Sequence, residues 1–501
     1  MNITRYLLIS VSLMLLQACN TASIKHISDS SDYEITRSFY QSMIKPHAVD
    51  IAKLNLFFTN MPKGGDLHHH YSGTIYAETY LDWVQKKNWH INQCSLKIIS
   101  KQSNLDGDGN GDCPDITVEQ LYRDDALFRK LLTLWSDKDF SNHSHNQTPP
   151  DANFFNTFGY FGPISSSYTA TGLKILKARA IAENVGYIET MLSRVDLNSA
   201  DFFGKGEVAA RFNAALREAK TDAALFSVLD EVRAKIDQDP SFTQSIDAYV
   251  KRVEQYHQGI DDDDFSMRFQ TYAVRILSPL QVFLDLYSGY LAAEISDVIV
   301  GVNIVAPENN LIALADYRLH MNMYAYLGDK YPRVNRALHA GELTIGMVRP
   351  KELNFHINDA IYIAKAQRIG HGIDIPYEKN ILTLLASMKA HAAVEINLTS
   401  NEFILGVEKS AHPYSIYAEY GVPMVISTDD SGVSRNNLSH EYVLLASRYR
   451  PDYETVKKYV YNSIEYSFLS EEDKQRNKNR LDVKFSLFEQ EMAELYRQTL
   501  D

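Results

Sequence analysis

Apolar residues gather in short runs along most of the chain, and between the runs they recur every three or four positions. A short apolar run bounded by turn-formers reads as a buried strand, and the longer period reads as an amphipathic helix. Eight such runs follow one another. They are GGDLHHH (64–70), GYIETML (186–192), FSMRFQTYAVRIL (265–277), VIVGVNIVA (298–306), RALHAGE (336–342), QRIGHGIDI (367–375), AVEINLTSN (393–401) and VPMVISTDD (422–430). Strands alternating with helices build parallel sheets, and eight of them predict an α/β fold, a (β/α)8 barrel of the TIM type. The polar stretch from 200 to 262 predicts helices on the barrel exterior, its closing DDDD a solvated face rather than a cation site.

The pattern changes in two places. Residues 90–150 are loop-like, carrying CSLKIISKQSNLDGDGNGDC and NHSHNQTPPD, and are read as an insertion. Within it Asp106, Asp108, Asn110 and Gly111 match the first half of a calcium loop, but position twelve is Thr117 where a bidentate Glu is needed, so a solvated turn is expected. The first residues, MNITRYLLISVSLMLLQAC, hold Arg5, an apolar run from Tyr6 to Leu16, and Ala18 before Cys19. That run is too short for a permanent span and reads as an export signal. Leu-Gln-Ala-Cys resembles a bacterial lipoprotein cleavage site, which makes 1–18 a signal peptide and Cys19 the lipidated first residue of the mature chain. Asn20 after the cysteine favours, by resemblance to Gram-negative lipoproteins, the outer membrane, with the protein periplasmic or at the cell surface. Residues 19–50 are then a tether and helical N-terminal extension, and 51–501 the barrel. In an oxidising compartment Cys94 and Cys113 are expected to form a disulfide across the insertion.

Composition narrows the partners. The 501 residues are 45% hydrophobic and 23% charged, ordinary for a globular chain, and the formal net charge is −13. Nucleic-acid binding rests on clustered Lys and Arg, so a nucleic-acid partner is excluded and a small neutral or cationic ligand fits better. Membrane contact is expected through the lipid anchor alone. The chemistry gathers at the ends of the predicted strands, where barrel enzymes place it. Alternation along a strand turns His68 and His70 to one face and His69 to the other. HAGE adds His339 and Glu342, GHG adds His371 between Gly370 and Gly372, and STDD adds Asp429 and Asp430. Three imidazoles and a carboxylate form a donor set that suits one Zn²⁺ and leaves room for water. His69 is read as structural, and His356, His391, His412 and His440 as surface or structural.

On these motifs, which run in order from Met61 to Asp430, the chain resembles the adenosine deaminase family, zinc-dependent hydrolases on a (β/α)8 barrel. MPKGGDLHHH, the N-terminal region and the cysteine-bearing insertion resemble its secreted, growth-factor-like branch. The resemblance implies His68, His70, His339 and Asp429 as zinc ligands. It implies that His371 orients or deprotonates the attacking water, that Glu342 shares a proton with purine N1, and that Asp430 hydrogen-bonds N7. It implies hydrolysis of adenosine or 2′-deoxyadenosine to the 6-oxo purine and ammonia. A carboxyl that gives a proton to N1 must be protonated, so Glu342 is expected to be buried and its pKa raised. Phe154 and Phe158 match an aromatic pair lining the family's substrate entrance, although aromatic residues four apart equally suit a core. The N-terminal extension resembles the region through which that branch dimerises, which implies a homodimer.

Two positions depart from the pattern. The family's ribose-contacting carboxylate is Ser72 here, and the glycine whose backbone meets N3 is Ala306, in VAPEN. Glu308 is a candidate for the missing carboxylate. The departures leave open a different 6-substituted purine or related heterocycle, and a further reading keeps the fold as a non-catalytic surface-binding lipoprotein. AMP is disfavoured because no cluster of Arg or Lys lies beside the motifs. The other zinc deaminase design, with its C-x-x-C, is excluded by the cysteine spacing.

Overall fold

The computed structural model describes residues 30–100, 113–138 and 148–499. Residues 1–18 and Cys19, read above as a signal segment and lipidation site, and the stretch 106–111, read as half a calcium loop, lie outside the described residues. Eight strands form one sheet in sequence order: β1 (Lys63–His70), β2 (Val185–Met191), β3 (Ser266–Val274), β4 (Ile299–Val305), β5 (Asn335–Ala340), β6 (Arg368–His371), β7 (Ala393–Ile396) and β8 (Met424–Ile426). All neighbouring pairs are parallel. Five strands lie within the runs that predict them, and β1, β2 and β5 each begin one residue earlier.

The barrel is nearly closed. Just beyond β8, the Asp429 amide donates to the His68 carbonyl at 2.8 Å, forming an isolated parallel bridge between His69 and Asp429. Beside it the Thr428 hydroxyl donates to Asp66 at 2.6 Å, and the His68 amide to Ser427 Oγ at 3.3 Å. The first and last strands therefore meet at the residues that carry the candidate chemistry.

Helices cover the outside. The stretch from 200 to 262 folds as expected, in four helices from Ser199–Phe203 to Pro240–His257. In Asp222–Asp237, capped by Thr221, the apolar residues Leu225, Leu229, Val232 and Ile236 fall on one buried face. The acidic run after it is partly engaged: Asp261 meets Arg268 at 2.7 Å and Asp262 meets Lys177 at 2.5 Å. The N-terminal helix Ser30–Met43 packs on the last helix, Glu471–Gln498, with Phe39 stacked on Tyr496 at 4.9 Å and the Thr36 hydroxyl donating to the Glu489 carbonyl. Among the described residues no helix is long and apolar enough to cross a membrane.

The insertion is more ordered than its composition suggests. Strands His90–Asn92, Ile98–Ile99 and Asp115–Ile116 form a small antiparallel sheet, tied by the Cys94–Cys113 disulfide. Helices Val118–Tyr122 and Asp125–Trp135 follow, and the buried Trp135 indole donates to the Leu96 carbonyl at 3.0 Å. Thr117 caps the first of these, its hydroxyl accepting from the Gln120 amide at 3.1 Å while Gln120 Oε1 accepts from the Thr117 amide at 2.8 Å.

Candidate active site

The C-terminal mouth of the barrel holds a cavity of about 380 Å³, within the range of small-molecule sites. One end is formed by His70, His339, Glu342, His371, Asp429 and Asp430. The opposite walls are apolar, from Phe154, Phe155, Phe158, Val274, Ile276 and Val305. Ser72, Tyr272, Ala306 and Pro307 complete the lining. The motif residues thus converge, Ser72 and Ala306 included. Phe154 serves both expected roles, being buried in the core and facing the cavity, while Phe158 is half-buried.

His70 Nε2 lies 3.2 Å from His339 Nε2 and 3.3 Å from Asp429 Oδ1, and His68 Nε2 lies 3.5 Å from the same oxygen. His68 Nε2 is buried without a hydrogen-bond partner. Lone pairs turned toward one another in a buried place repel unless a cation sits among them, so this donor set fits a metal ion. Close approach is built in by glycine. A side chain at Gly370 would meet the His68 ring at 2.6 Å, and one at Gly73 would meet the Asp430 carboxylate at 1.5 Å. Ala306, His371 and Asp429 hold φ of 84°, 68° and 60°, the left-handed region that side chains disfavour, and all three face the cavity.

Hydrogen-bond polarity separates the histidines. His68 Nδ1 donates to Glu395 Oε2 at 2.7 Å, and His339 Nδ1 donates to Asn303 Oδ1 at 2.9 Å. The proton on Nδ1 leaves Nε2 bare, as a metal ligand requires. These two partners belong to one buried chain. Asn303 donates to Gln270 at 3.0 Å, Gln270 to Glu189 at 2.9 Å, and Arg368 spans Glu189 and Glu395, its Nε donating to Glu395 at 2.6 Å. His371 is arranged the other way. The Tyr414 amide donates to His412 Nδ1 at 3.1 Å, so His412 Nε2 donates to Asn401 Oδ1 at 3.1 Å, and Asn401 Nδ2 donates to His371 Nδ1 at 2.8 Å. In neutral His371 the proton therefore sits on Nε2, which lies 3.7 Å from Glu342 and 4.0 Å from Asp429. A backbone amide three hydrogen bonds away makes His371 a donor to the cavity, although its ring nitrogens lie close enough to those of His68 and His339 for the three to share an ion.

Burial and the neighbouring Asp429 raise Glu342 to about 8, as its expected role requires. Asp429 moves the other way: against the effect of burial, the neighbouring His68, His70 and His371 imidazoles hold its carboxyl well below the usual range, so it is ionised. Burial and Asp429 push Asp430 well up. Burial lowers His371 to about 3 and His70 to about 4.

One expectation is corrected. Glu308 does not reach toward a sugar: it is fully enclosed, accepting from the Gly341 and Glu342 amides at 3.1 and 2.9 Å and bonded to His356, so it holds the loop that presents Glu342. Of the histidines read as surface or structural, His356 and His412 are buried and engaged in structural hydrogen bonds, whereas His391 and His440 are exposed. His69 turns away and bonds Thr190 at 2.8 Å. Unforeseen supports are Arg275, whose guanidinium donates to the His339 carbonyl at 2.9 Å, and the Glu189, Gln270, Asn303, Arg368 and Glu395 chain. Their signal was a polar residue embedded in each apolar run.

Comparison with known proteins follows the geometry. Residues 288–484 match the family model for adenosine deaminase. The adenosine deaminase of Escherichia coli strain SMS-3-5 is 32% identical over 120 residues, which is 24% of this chain and 35% of that protein. The chain spans about a third of the length of the curated relatives it matches. An Arabidopsis N6-mAMP deaminase superposes with a TM-score of 0.53 at 17% identity, covering 85% of this chain and 99% of that one. A zinc-bound amidohydrolase from Burkholderia ambifaria gives a TM-score of 0.50 at 15% identity over 88% and 94%.

Proposed function

The chain belongs to the adenosine deaminase family, and from that premise we propose that it is a zinc-dependent aminohydrolase converting adenosine or 2′-deoxyadenosine to the 6-oxo nucleoside and ammonia. The observation that carries this reading is the pairing, in one cavity, of a convergent donor set with a carboxyl held protonated beside it. His68, His70 and His339 through Nε2, and Asp429 through Oδ1, would hold the metal. When bound, the ion supplies the Lewis acidity that lets water act as a nucleophile near neutral pH.

The remaining work falls to side chains. Glu342 gives its proton to purine N1, where the 6-oxo product keeps it, as water adds at C6; one proton of that water restores Glu342, and the other passes from the C6 hydroxyl to the amine, which leaves as ammonia. Asp430, raised by burial and by Asp429, carries a proton it can donate to N7. Its Oδ1 has no partner among the described residues, which leaves it for a ligand. His371 Nε2–H donates to the incoming oxygen and orients it, and with Nδ1 occupied it does not begin as a base. The aromatic and aliphatic walls exclude water and sandwich the ring.

A second reading, another 6-substituted purine, is favoured by Ser72 and Ala306 at the positions that would face the sugar and N3. Absorbance at 265 nm with adenosine, run beside Glu342→Gln, decides. The wild type should lower the signal, and the variant should bind the metal equally and turn over at least about 10²-fold more slowly. A metal-loaded wild type inert on adenosine overturns the first reading.

A further inference from the structure

The active-site cavity has a neighbour. A second cavity, of about 490 Å³, shares Ser72 and Tyr272 with it, so those two side chains are the wall between them. The two chambers differ in character. The first is acidic at the metal end and apolar elsewhere, so a hydrophilic or anionic part of a ligand finds no partner there except at that wall. The second is lined by the hydroxyls of Ser165, Ser166, Thr169 and Ser193 and by two guanidinium groups, Arg194 and Arg252, with Asp196 the one carboxylate on its lining among the described residues.

The arginines are held. Asp285, behind Arg194, accepts from its Nη1 at 3.1 Å, leaving a side chain that is 39% exposed. Arg252 lies over the Tyr249 ring at 5.6 Å, and the Tyr249 hydroxyl donates to the Ser193 carbonyl at 2.8 Å, which ties the arginine's support to the chamber wall. Among the described residues no carboxylate forms an ion pair with Arg252. The wall couples both sides: burial raises the Tyr272 phenol, and the charges acting on it include Arg194 from one chamber and Asp430 from the other. At the wall itself position 72 is an uncharged hydroxyl. A carboxylate there would repel an anion at the threshold, and a serine admits it.

We propose that the second chamber is a phosphate subsite, and that the protein acts on purine nucleoside 5′-monophosphates, the base at the metal end, the sugar at Ser72 and the phosphate between Arg194 and Arg252. The inference rests on the purine deaminase reading above and revises the sequence-based expectation against AMP, because Arg194 and Arg252 are far along the chain from the motifs they adjoin in space. Guanidinium groups suit phosphate through paired, charge-assisted hydrogen bonds.

The test compares kcat/KM for AMP and adenosine on the zinc-loaded protein and on Arg252→Glu, an exposed position whose change leaves the core intact. Calorimetric Kd values for IMP and inosine are measured in parallel. The expected wild-type preference for the phosphorylated member is at least about tenfold, and it should collapse by a similar factor in the variant. Equal use of AMP and adenosine, or a preference indifferent to Arg252→Glu, overturns the subsite while leaving the deaminase reading intact. If neither substrate is deaminated the deaminase reading fails, and the IMP-to-inosine ratio still decides the subsite: a ratio that Arg252→Glu abolishes supports it, and a ratio near one refutes it.

Discussion

Two groups at the metal end have their protons assigned by neighbours, and each assignment can be reversed by one substitution. Asn401→Asp would present a carboxylate to His371 Nδ1 and draw the proton there, leaving Nε2 bare. Its kcat should fall by about 10²-fold or more with metal content and melting temperature preserved, and ¹⁵N shifts of the imidazole should report the exchanged tautomer. Unchanged kcat with an exchanged tautomer would show that the Nε2 proton is not used. Glu342 acts while protonated and is held at about 8, so activity should be full below that value and decline as pH rises through it. The same descending limb should vanish from the residual rate of Glu342→Gln.

At the scale of elements, the barrel strands carry a polar layer beneath the site, and its members act on the metal ligands through hydrogen bonds rather than contact with substrate. Asn303→Ala removes the acceptor for His339 Nδ1 and should weaken zinc binding by about 10–100-fold in a chelator competition. Arg368→Met is expected to be more severe, costing about 3–5 kcal/mol in denaturant unfolding, because Glu189 and Glu395 would be left buried without the guanidinium that neutralises them. The strands themselves were legible, since a buried parallel strand must be apolar on both faces and little else in the chain is. Glu189, Gln270, Asn303, Arg368 and Glu395 stood visibly inside those runs, but which meets which depends on the closure of the barrel, and no local pattern encodes that. The insertion was misjudged for a different reason. Its strands are two or three residues long, below any period, and the Gly- and Asp-rich stretch outweighed the Thr117 to Gln120 capping box that announces a helix.

At the scale of the whole molecule, the donor set bridges the barrel seam: His68 and His70 end the first strand, and Asp429 follows the last. A metal bound there should hold the seam shut, contributing about 3 kcal/mol when free zinc exceeds its Kd a hundredfold. Chelation should lower the melting temperature, and hydrogen exchange should quicken first in 63–70 and 424–429, well before the outer helices. Uniform quickening would show that the seam is held by packing alone. The location of that seam also sets when the proposed metal could be acquired. His68 and Ser427, which touch at the junction, are 359 residues apart. A growing or partly threaded chain that presents the histidine pair has no carboxylate to set beside it until almost all the rest has arrived. With the proposed metal at this seam, the choice of ion would be deferred to the final moments of folding, and the ion taken up would reflect the surroundings in which the last strand reaches the first.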